Sequence, residues 1–187
     1  MKDSTIISFP IDIYVRNNEY FVVLAKIPHS NLREPFFIDS LSEKFGVANV
    51  SKTEIGEQSM LVRPLHYDVT DDRFEFIPLD SFVNNFENTN INTEAANFIF
   101  HMSRCGSTLV TQMLASVERF YVISEPTVIL ALLNPDLSLP KGFTKQRLLK
   151  ALINSLYVCK PNHCERVIIK FRSWNILFIN DMLDCYP

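Results

Sequence analysis

The chain has 187 residues, 47% of them hydrophobic, with 15 phenylalanines, a formal net charge of −3 and a pI near 5.8. Such a composition excludes a disordered polar chain, and an acidic balance without a Lys/Arg-rich stretch argues against a nucleic-acid binder. The length suits one well-packed core, or one α/β domain with a small extra module.

The N-terminal residues contain no apolar run of signal-peptide length, and the longest aliphatic run, residues 128–133, is too short to cross a bilayer. An intracellular, cytoplasmic protein without a membrane span is therefore expected. Residues 1–83 read as a small β-rich α+β module. Within it, Ile11-Asp12-Ile13-Tyr14-Val15 and Tyr20-Phe21-Val22-Val23-Leu24 flank Arg16-Asn17-Asn18-Glu19, which predicts a hairpin. A short helix is expected over residues 35–45, where Phe36, Phe37, Leu41 and Phe45 share a face, followed by strands over 60–69 and 73–77. Residues 84–96, rich in Asn, Thr and Glu, read as a linker.

From residue 97 the pattern alternates: strand 97–102, helix 107–117, strand 120–123, helix 126–133, a break at 135–142, helix 144–158, strand 166–170 and helix 174–183. Strands alternating with helices imply a parallel sheet in a three-layer α/β domain over residues 97–187. Leu109, Val110, Met113, Leu114 and Val117 recur at helical spacing and are expected to face the sheet. Leu148, Leu149, Leu152, Ile153 and Leu156 form the same kind of stripe, and Trp174 is expected in the core.

The chemistry concentrates in Ser103-Arg104-Cys105-Gly106-Ser107-Thr108, a loop between a short apolar strand and a helix. A helix N-terminus presents unpaired N–H groups and a favourable dipole to an anion. Gly106 permits close backbone approach, Arg104 supplies a cation, and Ser107 and Thr108 cap the helix or donate to the same ligand. No Walker A lysine precedes the Ser-Thr pair, which disfavours an ordinary ATPase or GTPase. A cysteine phosphatase loop is excluded as well, because Thr111 stands where its closing arginine would be.

Metal chemistry has little support. The four cysteines are irregularly spaced, and Cys159-x4-Cys164 around His163 lacks a second ligand pair. His66-Tyr67-Asp68 has the His-x-Asp form of non-haem iron sites, but the nearest third ligand, His101, lies beside the anion loop on a different segment. No metal is expected.

The loop form Arg-x-Gly-Ser-Thr-Leu after a strand resembles the 5′-phosphosulfate loop of sulfotransferases, which use 3′-phosphoadenosine 5′-phosphosulfate (PAPS); the tyrosylprotein and related Golgi-type enzymes are the closest in pattern. The resemblance covers residues 97–187 and implies a P-loop fold, with Ser103, Arg104, Cys105, Gly106, Ser107 and Thr108 holding the cofactor. It further implies that Glu125, 21 residues beyond Arg104 in Ile123-Ser124-Glu125-Pro126, is the catalytic base. Lys170, in Ile168-Ile169-Lys170-Phe171-Arg172-Ser173, would join Arg104 in neutralising charge on the sulfonate and leaving phosphate, with Arg172 as a structural neighbour.

On residue type alone Glu125 reads as a helix N-terminal acid and Lys170 as a snorkelling strand-end lysine. The segment by which sulfotransferases grip the 3′-phosphate would lie past Pro187, so the parallel sheet is expected to be incomplete at its C-terminal side. The chain is then a fragment of a longer protein, or has decayed, or is completed by a partner, and the expectation of an enzyme leaves the activity of the truncated chain by itself open. The competing expectation is a degenerate P-loop module that binds a nucleotide or a partner without catalysis. Nothing in the pattern names the hydroxyl- or amine-bearing acceptor.

Overall fold

The computed structural model describes residues 6–28, 71–92, 96–132 and 137–186. The helix expected over 35–45, the strand over 60–69 and the His66-Tyr67-Asp68 triplet lie outside the described residues. The hairpin forms as the sequence predicts. β1 (Ile6–Arg16) and β2 (Glu19–Pro28) pair antiparallel with Arg16 opposite Glu19. Asn17 and Asn18 make the connection with φ of 52° and 65°. Positive φ at both central residues is what a two-residue type I′ turn demands, and asparagine tolerates it better than most side chains. The register shifts between Pro10 and Asp12, a place where the missing proline N–H costs the ladder nothing.

β3 (Phe74–Pro78) pairs with the other edge of β2, giving the order β1-β2-β3. Helix α1 (Leu79–Phe86) follows at once and occupies the first three positions of the expected linker. Leu79, Phe82 and Val83 are buried on it, and the Phe82 and Phe86 rings lie 4.8 Å apart. That apolar i, i+4 contact carries the helix through Asn84 and Asn85.

The second sheet is parallel. β4 (Ala96–Ile99), β5 (Phe120–Ser124) and β6 (Arg166–Lys170) assemble in the order β4-β6-β5, which places the last strand in the middle. Helix α2 (Ser107–Ala115) joins β4 to β5, while α3 (Thr127–Ala131) and α4 (Lys145–Val158) lie between β5 and β6. Thr144 caps α4 by accepting from the Arg147 N–H at 3.1 Å, and the predicted stripe from Leu148 to Leu156 is fully buried.

One contiguous core joins the two sheets: Phe9, Ile11, Val22 and Ile27 of the antiparallel sheet share it with α4 and with Ile123, Val167 and Ile169 of the parallel one. The Thr127 hydroxyl donates to the Ile11 carbonyl at 2.6 Å across the same boundary. Asn154, 1% exposed, ties three elements together: its Nδ2 donates to the Phe86 carbonyl at 2.8 Å, and its Oδ1 accepts from the Tyr186 hydroxyl at 2.7 Å.

Three expectations are corrected. The apolar stripe of α2 does not face the sheet: Leu109, Val110, Met113 and Val117 are all exposed, and Thr111 is the buried residue of that helix. Periodicity identifies a helix with an apolar stripe, but whether sheet surface lies under the stripe depends on sheet width. Here α2 packs mainly on β5, and beside it a cleft of about 500 Å³ stays open, lined by Asn97, Ile99, Leu114, Phe120 and Ile168. The final helix also splits, into a 3₁₀ turn at Ser173–Phe178 and α5 (Ile179–Cys185). Trp174 is exposed, and Asn175 takes the buried position. Asn175 can do so because its Oδ1 accepts from the Arg172 N–H at 2.9 Å, closing the turn that ends β6.

Candidate active site

Three strand ends converge at the carboxyl edge of the parallel sheet, where open α/β sheets place ligands. Ile99 of β4 and Ser124 of β5 both pair with Lys170, the last residue of the central strand. Two main-chain bonds extend that alignment beyond the strands. The Phe171 N–H donates to the Ile99 carbonyl at 3.0 Å, and the Glu125 N–H donates to the Lys170 carbonyl at 2.7 Å. The Phe171 ring stacks on Phe98 and Phe100 at 5.9 and 4.8 Å, binding the exit of β4 to the exit of β6. The loop after β4 and Glu125 after β5 therefore start from the two strands that flank residues 171–172.

The loop itself is exposed from Met102 to Gly106. Gly106 opens α2 at φ 80° with no side-chain cap, and a Cβ placed there would meet nothing within 4 Å. Arg104 also has positive φ, 59°. The side chains of Arg104, Ser107 and Thr108 engage no hydrogen-bond or ion-pair partner among the described residues. Uncapped N–H groups, two hydroxyls and one guanidinium unengaged among the described residues thus share one helix start, a combination chemically suited to an anion. Cys105 is an exposed free thiol.

Glu125 and Lys170, separate in sequence, form a buried ion pair. Lys170 is 1% exposed and its Nζ contacts Glu125 Oε1. On the other carboxylate oxygen, Arg172 Nε lies 3.0 Å from Oε2, with the arginine side chain 32% exposed. Glu125 holds this position at φ 57°, a conformation that costs a non-glycine residue about 1–3 kcal/mol and clusters at functional sites. Sequence reading assigned Arg172 only a neighbour's place. The signal for more was its spacing, since Lys170 and Arg172 are two apart on an extended segment and project to one side.

His101 lies just past β4, its Nδ1 3.0 Å from the Met102 carbonyl. A carbonyl only accepts, so Nδ1 is the donor in this contact; Nε2 is buried without a partner among the described residues. The Cys159–Cys164 pair forms no ligand set. Cys159 Sγ donates to the Ser8 carbonyl and Cys164 Sγ to that of Glu118, each at 3.5 Å. Burial pushes the Cys159 thiol up to about 12, which keeps it protonated and inert at neutral pH. Among the described residues no group of three His, Cys, Asp or Glu side chains is placed to hold a metal ion, and no helix is long and apolar enough to cross a membrane. Comparison of the chain with protein-family models, curated proteins and solved structures finds no match, so its own geometry carries the functional argument.

Proposed function

We propose that this site transfers a sulfuryl group from PAPS to a hydroxyl or amine acceptor. The observation that carries the reading is the buried Lys170–Glu125 pair on the flank of an open, uncapped anion loop, all at one sheet edge. The strand order supports a P-loop-type arrangement, because the loop-bearing β4 neighbours the third parallel strand and not the second. In the proposed step the acceptor oxygen or nitrogen attacks sulfur, and its proton passes to a Glu125 carboxylate oxygen. The bond from sulfur to the phosphate oxygen breaks, and adenosine 3′,5′-bisphosphate leaves. Arg104 and Lys170 offset charge on the sulfonate and the leaving phosphate, and the amides of Gly106, Ser107 and Thr108 hold the 5′-phosphate. General-base work of this kind contributes about 10²–10⁴-fold.

A second reading, a binding module without catalysis, draws on the same pair. Glu125 is held by two cations, which compete with an acceptor's proton for its oxygens. Thermal stabilisation separates the two readings. A shift specific to adenosine 3′,5′-bisphosphate over ATP and AMP, followed by transfer of ³⁵S from PAPS to a hydroxyl or amine panel, supports the transferase. A shift with ATP alone supports a nucleotide-binding module. Ligand stabilises in proportion to concentration and affinity, so each nucleotide is titrated into the millimolar range; absence of any shift there refutes the sulfotransferase reading for this chain.

A further inference from the structure

We infer that Arg172 is a positioning residue that moves between Glu125 and the anion bound at the loop, so that the base is released only when the donor is present. The inference rests on the proposed sulfuryl-transfer site. A cation stands at each Glu125 oxygen, and Arg172 at Oε2 competes there with an acceptor's proton for the same lone pairs. The two cations differ in freedom. Lys170 is 1% exposed and enclosed at the centre of the sheet, whereas Arg172 is 32% exposed and grows from the 3₁₀ turn.

Topology gives Arg172 two destinations. It leaves the middle strand, with Glu125 at the end of β5 on one side and β4, from which the anion loop starts, on the other. Adjacent strands stand about 4.8 Å apart, a spacing that an arginine side chain spans in either direction. Asn175 anchors the pivot, accepting from the Arg172 N–H through Oδ1 while its own N–H donates to the Arg172 carbonyl at 2.8 Å. The backbone thus stays fixed while the guanidinium swings. The present contact also leaves the arginine underused. Its Nε sits 3.0 Å from Oε2 yet is without a well-directed hydrogen bond, whereas a phosphate or sulfonate matches the guanidinium fork bidentately.

A double-mutant cycle read by calorimetric titration of the full chain with adenosine 3′,5′-bisphosphate tests this. Glu125→Gln removes the competitor and is expected to tighten binding about 1.5-fold to fivefold, the range for releasing a partly exposed ion pair. Arg172→Gln weakens binding, Arg172→Lys restores part of it, and Glu125→Gln has no further effect in the Arg172→Gln background. If Glu125→Gln tightens binding equally in both backgrounds, Glu125 acts by charge alone and the exchange is refuted, while the transferase reading stands. If the parent chain binds no bisphosphate, that reading fails and this inference with it. Should Glu125→Gln fail to fold, the Arg172 Nε–H resonance of the parent protein gives an independent answer. It shifts on adding the bisphosphate if the guanidinium changes partner, and an unmoved signal overturns the inference.

Discussion

Breaking the Lys170–Glu125 pair from one side should destabilise the protein far more than removing it from both. Lys170→Met leaves Glu125, whose side chain is 11% exposed, without its buried partner. Loss of one member of a buried ion pair costs about 3–5 kcal/mol. Arg172 remains on Oε2 at 3.0 Å, which places the expected loss at the low end, about 3 kcal/mol. For a domain of this size that corresponds to a fall of about 6–12 °C in Tm. In the double variant Lys170→Met/Glu125→Leu no buried charge is left, and Arg172 is exposed enough to reach water. The strained φ at position 125 burdens leucine as it does glutamate, so it cancels. Stability should return to within about 1 kcal/mol of the parent, since well-packed apolar replacements of buried pairs are commonly neutral or better. Urea denaturation followed by circular dichroism measures both, with unchanged m-values as the check on two-state behaviour. A loss below about 1 kcal/mol for the single variant, or a double variant no more stable than the single, would refute the reasoning. The expected pattern would mean that the pair is kept for what it does at the sheet edge, because the fold does not need it.

Gly106→Ala introduces a Cβ that meets no atom within 4 Å, so its cost is the left-handed backbone alone, about 1–2 kcal/mol; chemical denaturation reads this, and a loss above about 3 kcal/mol would show that the loop packs more tightly than described. Asn154→Leu removes two hydrogen bonds, to the Phe86 carbonyl and from the Tyr186 hydroxyl, while the Thr89 N–H and the Lys150 carbonyl still partner those groups; the loss should be about 1–3 kcal/mol in all, seen as a lowered urea midpoint. The Arg147 guanidinium holds the Glu87 carboxyl below its usual range through a hydrogen-bonded pair. A carboxylate with depressed folded-state pKa contributes stability that is full above its unfolded value near 4.5 and is lost as pH falls through the folded one. Glu87→Gln should therefore flatten the pH dependence of stability below about pH 4.5, and a parallel decline in parent and variant would count against the pair.

Local physics made much of this protein legible from its residues. The Asn17-Asn18 turn, the capped helix from Thr144 with its leucine stripe, and the strand–glycine loop–helix at residues 96–115 depend on backbone preference and near-neighbour periodicity, which a linear pattern contains. The same holds for the residue types at Glu125 and Lys170, although a linear reading marks each only as a charged strand end. That they meet is decided by parallel pairing, which inserts β6 between β4 and β5 and sets Ser124 and Ile99 against Lys170. Strand order is a long-range choice of core burial, and no local preference encodes it. For the same reason tertiary structure alone left the apolar face of α2 uncovered, put Asn175 in the buried place expected of Trp174, and set Arg172 on the second oxygen of Glu125. Each of those outcomes depends on where other surfaces end, a property of the packed sheet that the sequence of the segment itself does not carry.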